Sequence, residues 1–225
     1  MNSSNNNSAI LTEYIGSKTL LVIFGGVKQG VGMPLFEFKN VLKEVTCDKI
    51  FLRDFKQAWY HRGLNEEIDN IESLKIYLDK LITTKEYKKV VFLGNSMGGY
   101  AAILFGNMLP VDHIIAFSPQ TFISKLKRYW YKDKRWANQI EATYKDNRHQ
   151  KRYYDLKPFL KNERHKLIPL DLYYSHNHKL DSIHCERLNS FNTINFYSYD
   201  LDNHNLVRFL RDKKLLLEII NLAIK

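Results

Sequence analysis

Hydrophobic positions along the chain alternate between two periods. Thr19-Leu20-Leu21-Val22-Ile23-Phe24 is a continuous apolar run that stops at Gly25-Gly26. Its length and β-branching predict a strand buried on both faces, with a loop at the glycines. Similar runs at 49–52, 90–93, 111–117, 167–174 and 193–197 predict five more strands. Between them, Leu35, Phe38, Val41 and Leu42 recur at helical spacing behind Pro34, which suits a first turn. Asn65 suits the N-cap of a helix whose apolar stripe is Ile68, Ile71, Leu74, Leu78 and Leu81. Residues 97–108 predict a helix that opens on glycines, and 206–224 a single amphipathic helix at the end of the chain. Strands alternating with helices predict an α/β fold: a mostly parallel sheet of about six strands with helices on both faces. In such sheets chemistry gathers at the carboxyl ends of the strands.

Composition narrows the class. The chain has 225 residues, and 10–225 reads as a single domain. A hydrophobic fraction of 44% with 13% aromatics excludes a disordered protein. The polar, Asn/Ser-rich start predicts a disordered lead-in over 1–9 and not a signal peptide. No apolar run reaches about 18 residues, so no membrane-spanning segment is expected. Two cysteines, Cys47 and Cys185, do not make a disulfide framework, and a cytoplasmic location is the expectation.

Charge changes the picture more. The formal net charge is +10, and residues 121–170 hold fourteen Lys/Arg against five Asp/Glu. The same stretch carries Tyr129, Trp130, Tyr131 and Trp136. The chain is thus a balanced domain with a basic, aromatic, helical insert at about 121–165. Guanidinium and ammonium groups hold anions and flat rings stack on sugars, so the insert fits an acidic or glycan substrate. The plainer reading is a solvated face whose lysine stems lie along apolar surface. No nucleic-acid motif accompanies the basic block, and nucleic acid is not expected as a partner.

The third strand runs into Gly94-Asn95-Ser96-Met97-Gly98, followed by Gly99-Tyr100-Ala101-Ala102. This is G-x-S-x-G between a strand and a helix. A serine on so sharp a turn sits in a strained conformation, and its neighbours two residues away must lack side chains. The helix N-terminus aims free N–H groups at the reacting centre. The alternative is a tight turn with a structural serine.

With these residues the sequence resembles the α/β-hydrolase family of serine esterases, lipases and acyltransferases, over nearly the whole chain from Thr19 to Ile224. The resemblance implies an α/β-hydrolase fold, a triad in the order Ser, acid, His, and a cap or lid where the insert falls. It implies Ser96 as nucleophile. It implies His204, after the last predicted strand, as base, and Asp181, in the loop after the fifth strand, as acid. The oxyanion hole implied is the N–H of Met97 with that of Gly26, Val27 being the near alternative. Where many members carry His-Gly, this chain has Phe24-Gly25. Gly25-Gly26, Asp54-x-x-x-x-Trp59-Tyr60 and Ser118-Pro119-Gln120 are more loosely similar to small hydrolases associated with polysaccharide modification. Trp59 and Tyr60 are candidate substrate-binding residues, or else part of a surface loop.

Other chemistries fit less well. His176-Asn177-His178 with His184-Cys185 matches no common zinc spacing, so no metal is expected. Cys185 beside His184 lacks an oxyanion turn. The glycines after Phe24 lack the signature of a phosphate-binding loop. The sequence therefore points to ester hydrolysis through an acyl-enzyme, with no cofactor. O-acetyl transfer to a sugar hydroxyl of an acidic glycan, with acetyl-CoA as donor, would use the same residues. A non-catalytic polyanion-binding module is the reading from a different class.

Overall fold

The structure is a computed structural model and describes residues 8–27, 36–163 and 167–225. One sheet contains β1 (Ile10–Glu13), β2 (Thr19–Phe24), β3 (Asp48–Leu52), β4 (Lys89–Asn95), β5 (His113–Phe117), β6 (Leu170–Ser175) and β7 (Ile194–Tyr199). The strand order is β1-β3-β2-β4-β5-β6-β7, and only β1 pairs antiparallel, with β3. The six expected strands are thus joined by a seventh. β1 escapes the hydrophobic pattern because it is four residues long and only partly covered at the sheet edge. It also orders what precedes it: Ala9 is buried, and its carbonyl accepts the Arg53 N–H at 2.8 Å. Ser8 and Ala9 therefore do not belong to the expected lead-in, whose residues 1–7 lie outside the described residues.

Alternation within the strands explains the continuous apolar runs. Leu20, Val22, Phe24, Val90 and Phe92 face one core, while Leu21, Ile23, Val91 and Leu93 face the other. The first core is covered by α1 (Ile71–Thr84) and α2 (Met97–Gly106). The insert between β5 and β6 holds α3 (Lys125–Trp130), α4 (Ala137–Lys145) and α5 (Leu156–Asn162), and the last two bury Ile140, Leu156 and Leu160 in this core. Helix α6 (Lys179–Glu186) adds Cys185 on the same side. The second core is closed by α7 (Leu206–Asp212) and α8 (Leu215–Ile224). Among the described residues, no helix is long and apolar enough to cross a membrane.

Three helices differ from expectation. The helix read after Pro34 is only a 3-10 turn at Val41–Glu44, because Phe38 adopts φ 65°, which breaks an α ladder. Pro34 and Leu35 lie outside the described residues. The helix read from Asn65 begins at Ile71: Asn65 Oδ1 accepts the Ile68 N–H at 2.7 Å in a local turn, and Asn70 with Ser73 forms the capping box. The C-terminal helix is two helices, divided at Lys214 with φ 63°.

The topology fixes where a site can form. From β2 the chain crosses to β3 on one side and then to β4 on the other. The strand order reverses between β2 and β4, and the crevice beyond their carboxyl ends is the place for a ligand. Gly25-Gly26 leaves one of these strands and Ser96 leaves the other.

Candidate active site

Ser96 joins β4 to α2 with φ 55° and ψ −114°. A non-glycine residue held there stores about 1–3 kcal/mol of strain. The turn is tight enough to dictate its neighbours. A Cβ on Gly94 would lie 2.1 Å from the Gly98 carbonyl oxygen, and one on Gly98 would lie 2.0 Å from that of Phe24. The second contact locks the Ser96 turn against the end of β2.

Ser96, His204 and Asp181 come together. His204 Nε2 is 3.0 Å from Ser96 Oγ, and His204 Nδ1 is 2.8 and 2.9 Å from the two Asp181 oxygens. The carboxylate accepts the Nδ1 proton, which leaves Nε2 to accept the Ser96 hydroxyl. Asp181 is 1% exposed, while the His204 side chain is 29% exposed. Burial alone would raise the Asp181 carboxyl, but the His178 and His204 imidazoles beside it outweigh burial and hold it below the usual carboxylate range. Asp181 sits in the first turn of α6 and not in a loop, because the helix begins directly after the turn at His178.

Gly26 lies against Ser96, whose Cβ is 3.7 Å from where a Cβ on Gly26 would be. Its N–H already donates to Glu37 Oε2 at 2.7 Å, and Asn95 Nδ2 donates to Glu37 Oε1 at 2.8 Å. Burial raises the Glu37 carboxyl, and these two donors partly offset it. Met97 opens α2, so its N–H lies outside the helical ladder. Val27 is half-buried against the first core.

Trp59 and Tyr60, read as candidate substrate-binding residues, are buried and brace the loops around them. Both are 0% exposed and both have positive φ, at 52° and 61°. Trp59 Nε1 donates to Gln120 Oε1 at 3.1 Å, and the Tyr60 hydroxyl donates to the Gly25 carbonyl at 3.0 Å. The Asp54 carboxylate accepts the Ala58 and Tyr60 N–H groups and holds their loop inward.

Around Asp181 the fold gathers residues that lie far apart along the chain or carry no sign of pairing in it. His178 Nδ1 lies 2.9 Å from Asp181 Oδ1. Arg135, on the insert, lies 3.4 Å from the same oxygen and also grips Asp133 with Nε and Nη2 at 3.1 and 3.0 Å. Asp133 in turn pairs with His184 Nε2 at 3.0 Å. His178, Asp181 and His204 offer ligand atoms within 4.8 Å of one another. However, His204 and Asp181 spend those atoms on each other, and the Arg135 cation opposes a metal ion beside them. His184 and Cys185 turn elsewhere, His184 to Asp133 and Cys185 into the first core.

The insert is pinned from below. The Tyr100 hydroxyl donates to the Tyr153 carbonyl at 2.5 Å, His61 Nε2 is 3.0 Å from the Tyr100 oxygen, and the Gln150 N–H donates to His61 Nδ1 at 3.4 Å. Burial pushes His61 down to about 3, so it stays neutral, with Nε2 carrying the proton.

No family model and no curated protein matches the chain by sequence. Solved structures do resemble it. A capsule O-acetyltransferase of Neisseria meningitidis serogroup A has a TM-score of 0.62 at 15% identity, over 93% of this chain and 92% of that one. An α/β-hydrolase enzyme from a lagoon-sediment metagenome of Mar Chica, Morocco, gives 0.56 at 17% identity, over 91% and 95%. A monoacylglycerol lipase of Paleococcus ferrophilus gives 0.56 at 11% identity, over 93% and 98%. The chain has the α/β-hydrolase fold.

Proposed function

We propose that this protein is a serine hydrolase that cleaves a carboxylic ester through an acyl-enzyme. The observation that carries the reading is the unbroken line from Ser96 Oγ through His204 to Asp181, set on a strained strand-to-helix turn. Ser96 Oγ bonds to the ester carbonyl carbon while His204 Nε2 takes its proton. The carbonyl electrons move to oxygen, and the Met97 and Gly26 N–H groups hold the negative charge, each donor being worth roughly 3 kcal/mol. Collapse expels the alcohol, which takes the proton from His204. Water repeats the sequence and frees the acid. Gly26 can serve only after Glu37 has released its N–H. The insert is proposed as a cap, a placement supported by the reach of Arg135 from the insert to Asp181.

A second reading passes the acyl group from acetyl-CoA to a sugar hydroxyl in place of water. The basic insert favours it, as does the likeness to a capsule O-acetyltransferase over 92% of that chain. Labelling with a fluorophosphonate tests what both readings share. The wild type should gain one adduct by intact mass, and Ser96→Ala should gain none. No adduct on the wild type would leave the polyanion-binding module as the better account. Acetyl-CoA with an acidic polysaccharide acceptor then separates the two: transfer faster than hydrolysis selects the acyltransferase.

A further inference from the structure

We infer that the outward face of α3 docks on an anionic lipid surface. The helix buries none of its residues. Leu126, Tyr129 and Trp130 are 72%, 85% and 74% exposed, among the most exposed large hydrophobic side chains described. Their i, i+3, i+4 spacing puts all three on one face. At about 100° per residue, Arg128 falls on the opposite face. There it turns inward, its side chain 12% exposed and 4.0 Å from Asp133. The Ser124 hydroxyl caps the helix by accepting the Lys127 N–H at 3.3 Å. The apolar face is therefore presented to solvent by a helix anchored from behind.

The same turn angle places Lys125 and Lys127 on the two flanks of this face. Lys132 and Lys134 follow the helix, both exposed. Chemistry selects the occupant. Tryptophan and tyrosine favour the boundary between headgroup and acyl chain, where a ring is buried and its polar edge stays wet. Leu126 gains from acyl carbons and gains nothing from a hydrated sugar. Flanking lysines reach the phosphate level on long stems, and their charge selects anionic headgroups. An acidic glycan would satisfy the lysines and leave Leu126 exposed.

The test does not depend on the chemistry at Ser96. The full chain is sedimented with vesicles of phosphatidylcholine alone and of phosphatidylcholine with phosphatidylglycerol. Binding is expected to the mixed vesicles and to weaken with salt. A Leu126→Ser, Tyr129→Ser, Trp130→Ser variant should partition at least about tenfold less. Because these side chains are exposed, the variant should keep the wild-type melting temperature. Absence of binding to the mixed vesicles, or undiminished binding by the variant, overturns the proposal. So does equal binding to both vesicle types. Displacement from vesicles by soluble oligogalacturonate at constant ionic strength would assign the face to a glycan. Light scattering that shows a dimer dissolved by the variant, without vesicle binding, would assign it to a second copy of the chain.

Discussion

His204 with Asp181 and His184 with Asp133 are chemically the same pair, set one beside the other and joined through Arg135. The histidine–aspartate distances are alike, 2.8 Å in one and 3.0 Å in the other. What separates them is the second nitrogen and the solvent. His204 gives Nδ1 to its aspartate and points Nε2 at Ser96, with 29% of its side chain exposed. His184 gives Nε2 to Asp133, stacks on Phe122 at 4.0 Å, and is 1% exposed with no hydrogen-bond partner described for Nδ1. Burial pushes His184 down to about 4, although Asp133 pulls the other way. An imidazole on a carboxylate becomes a base only where its free nitrogen meets a proton donor and the resulting cation can be solvated. The second pair is a strut.

The comparison breaks most visibly in catalysis. Under the proposed mechanism, His204→Gln should lower kcat for p-nitrophenyl acetate by at least about a thousandfold. His184→Gln should leave the folded protein within about tenfold of wild type. Initial rates on protein checked for folding decide this, and equal losses would erase the distinction.

Stability should invert the ranking. Asp133→Ala leaves the buried His184 Nε2–H without its acceptor and takes one of the two carboxylates from Arg135, and should cost about 2 kcal/mol in urea unfolding, because a buried donor is left unsatisfied. The pH dependence sharpens this. His184 and His61 have folded values of about 4 and about 3, both below the ordinary 6.5. Their contribution is therefore complete above about pH 6.5 and is lost as pH falls toward the folded values, since the unfolded chain binds the protons first. The urea midpoint should fall between pH 7 and pH 4, and His184→Gln should flatten that slope. A midpoint independent of pH over this window would remove the strut.

The smallest effect concerns the carboxylate on the Gly26 N–H. Glu37→Gln weakens that contact and should speed fluorophosphonate labelling by a few fold at neutral pH. Slower labelling would mean that Glu37 braces the loop and does not compete for it.

How far the sequence carries can be read from the same residues. The inner strands were legible because their alternation feeds two cores at once, which writes itself as apolar runs, whereas β1 at the edge was not. Ser96 was legible because Gly94 and Gly98 have no room for a side chain. Asp181 and His204 could be placed by chain order, and the structure brings both to Ser96. The placement of Trp59 and Tyr60 was not legible: an aromatic pair after a strand reads as a pocket wall or a surface loop, whereas the Asp54 carboxylate turns their loop inward. Glu37, Arg135 and the Asp133–His184 pair left no local trace, since each depends on segments that meet only in the folded molecule.

The line from Ser96 to His204 spans 108 residues of chain. At a synthesis rate of about 5–20 residues per second, the histidine emerges roughly 5–20 s after the serine. It follows β7, the last strand in chain order, which pairs with β6 at the sheet edge. Under the proposed mechanism Ser96 has no base until that histidine is in place, so a nascent or truncated chain would be chemically silent. Under the proposed mechanism, ester turnover would report completion of the whole sheet, not merely formation of the turn that carries the serine.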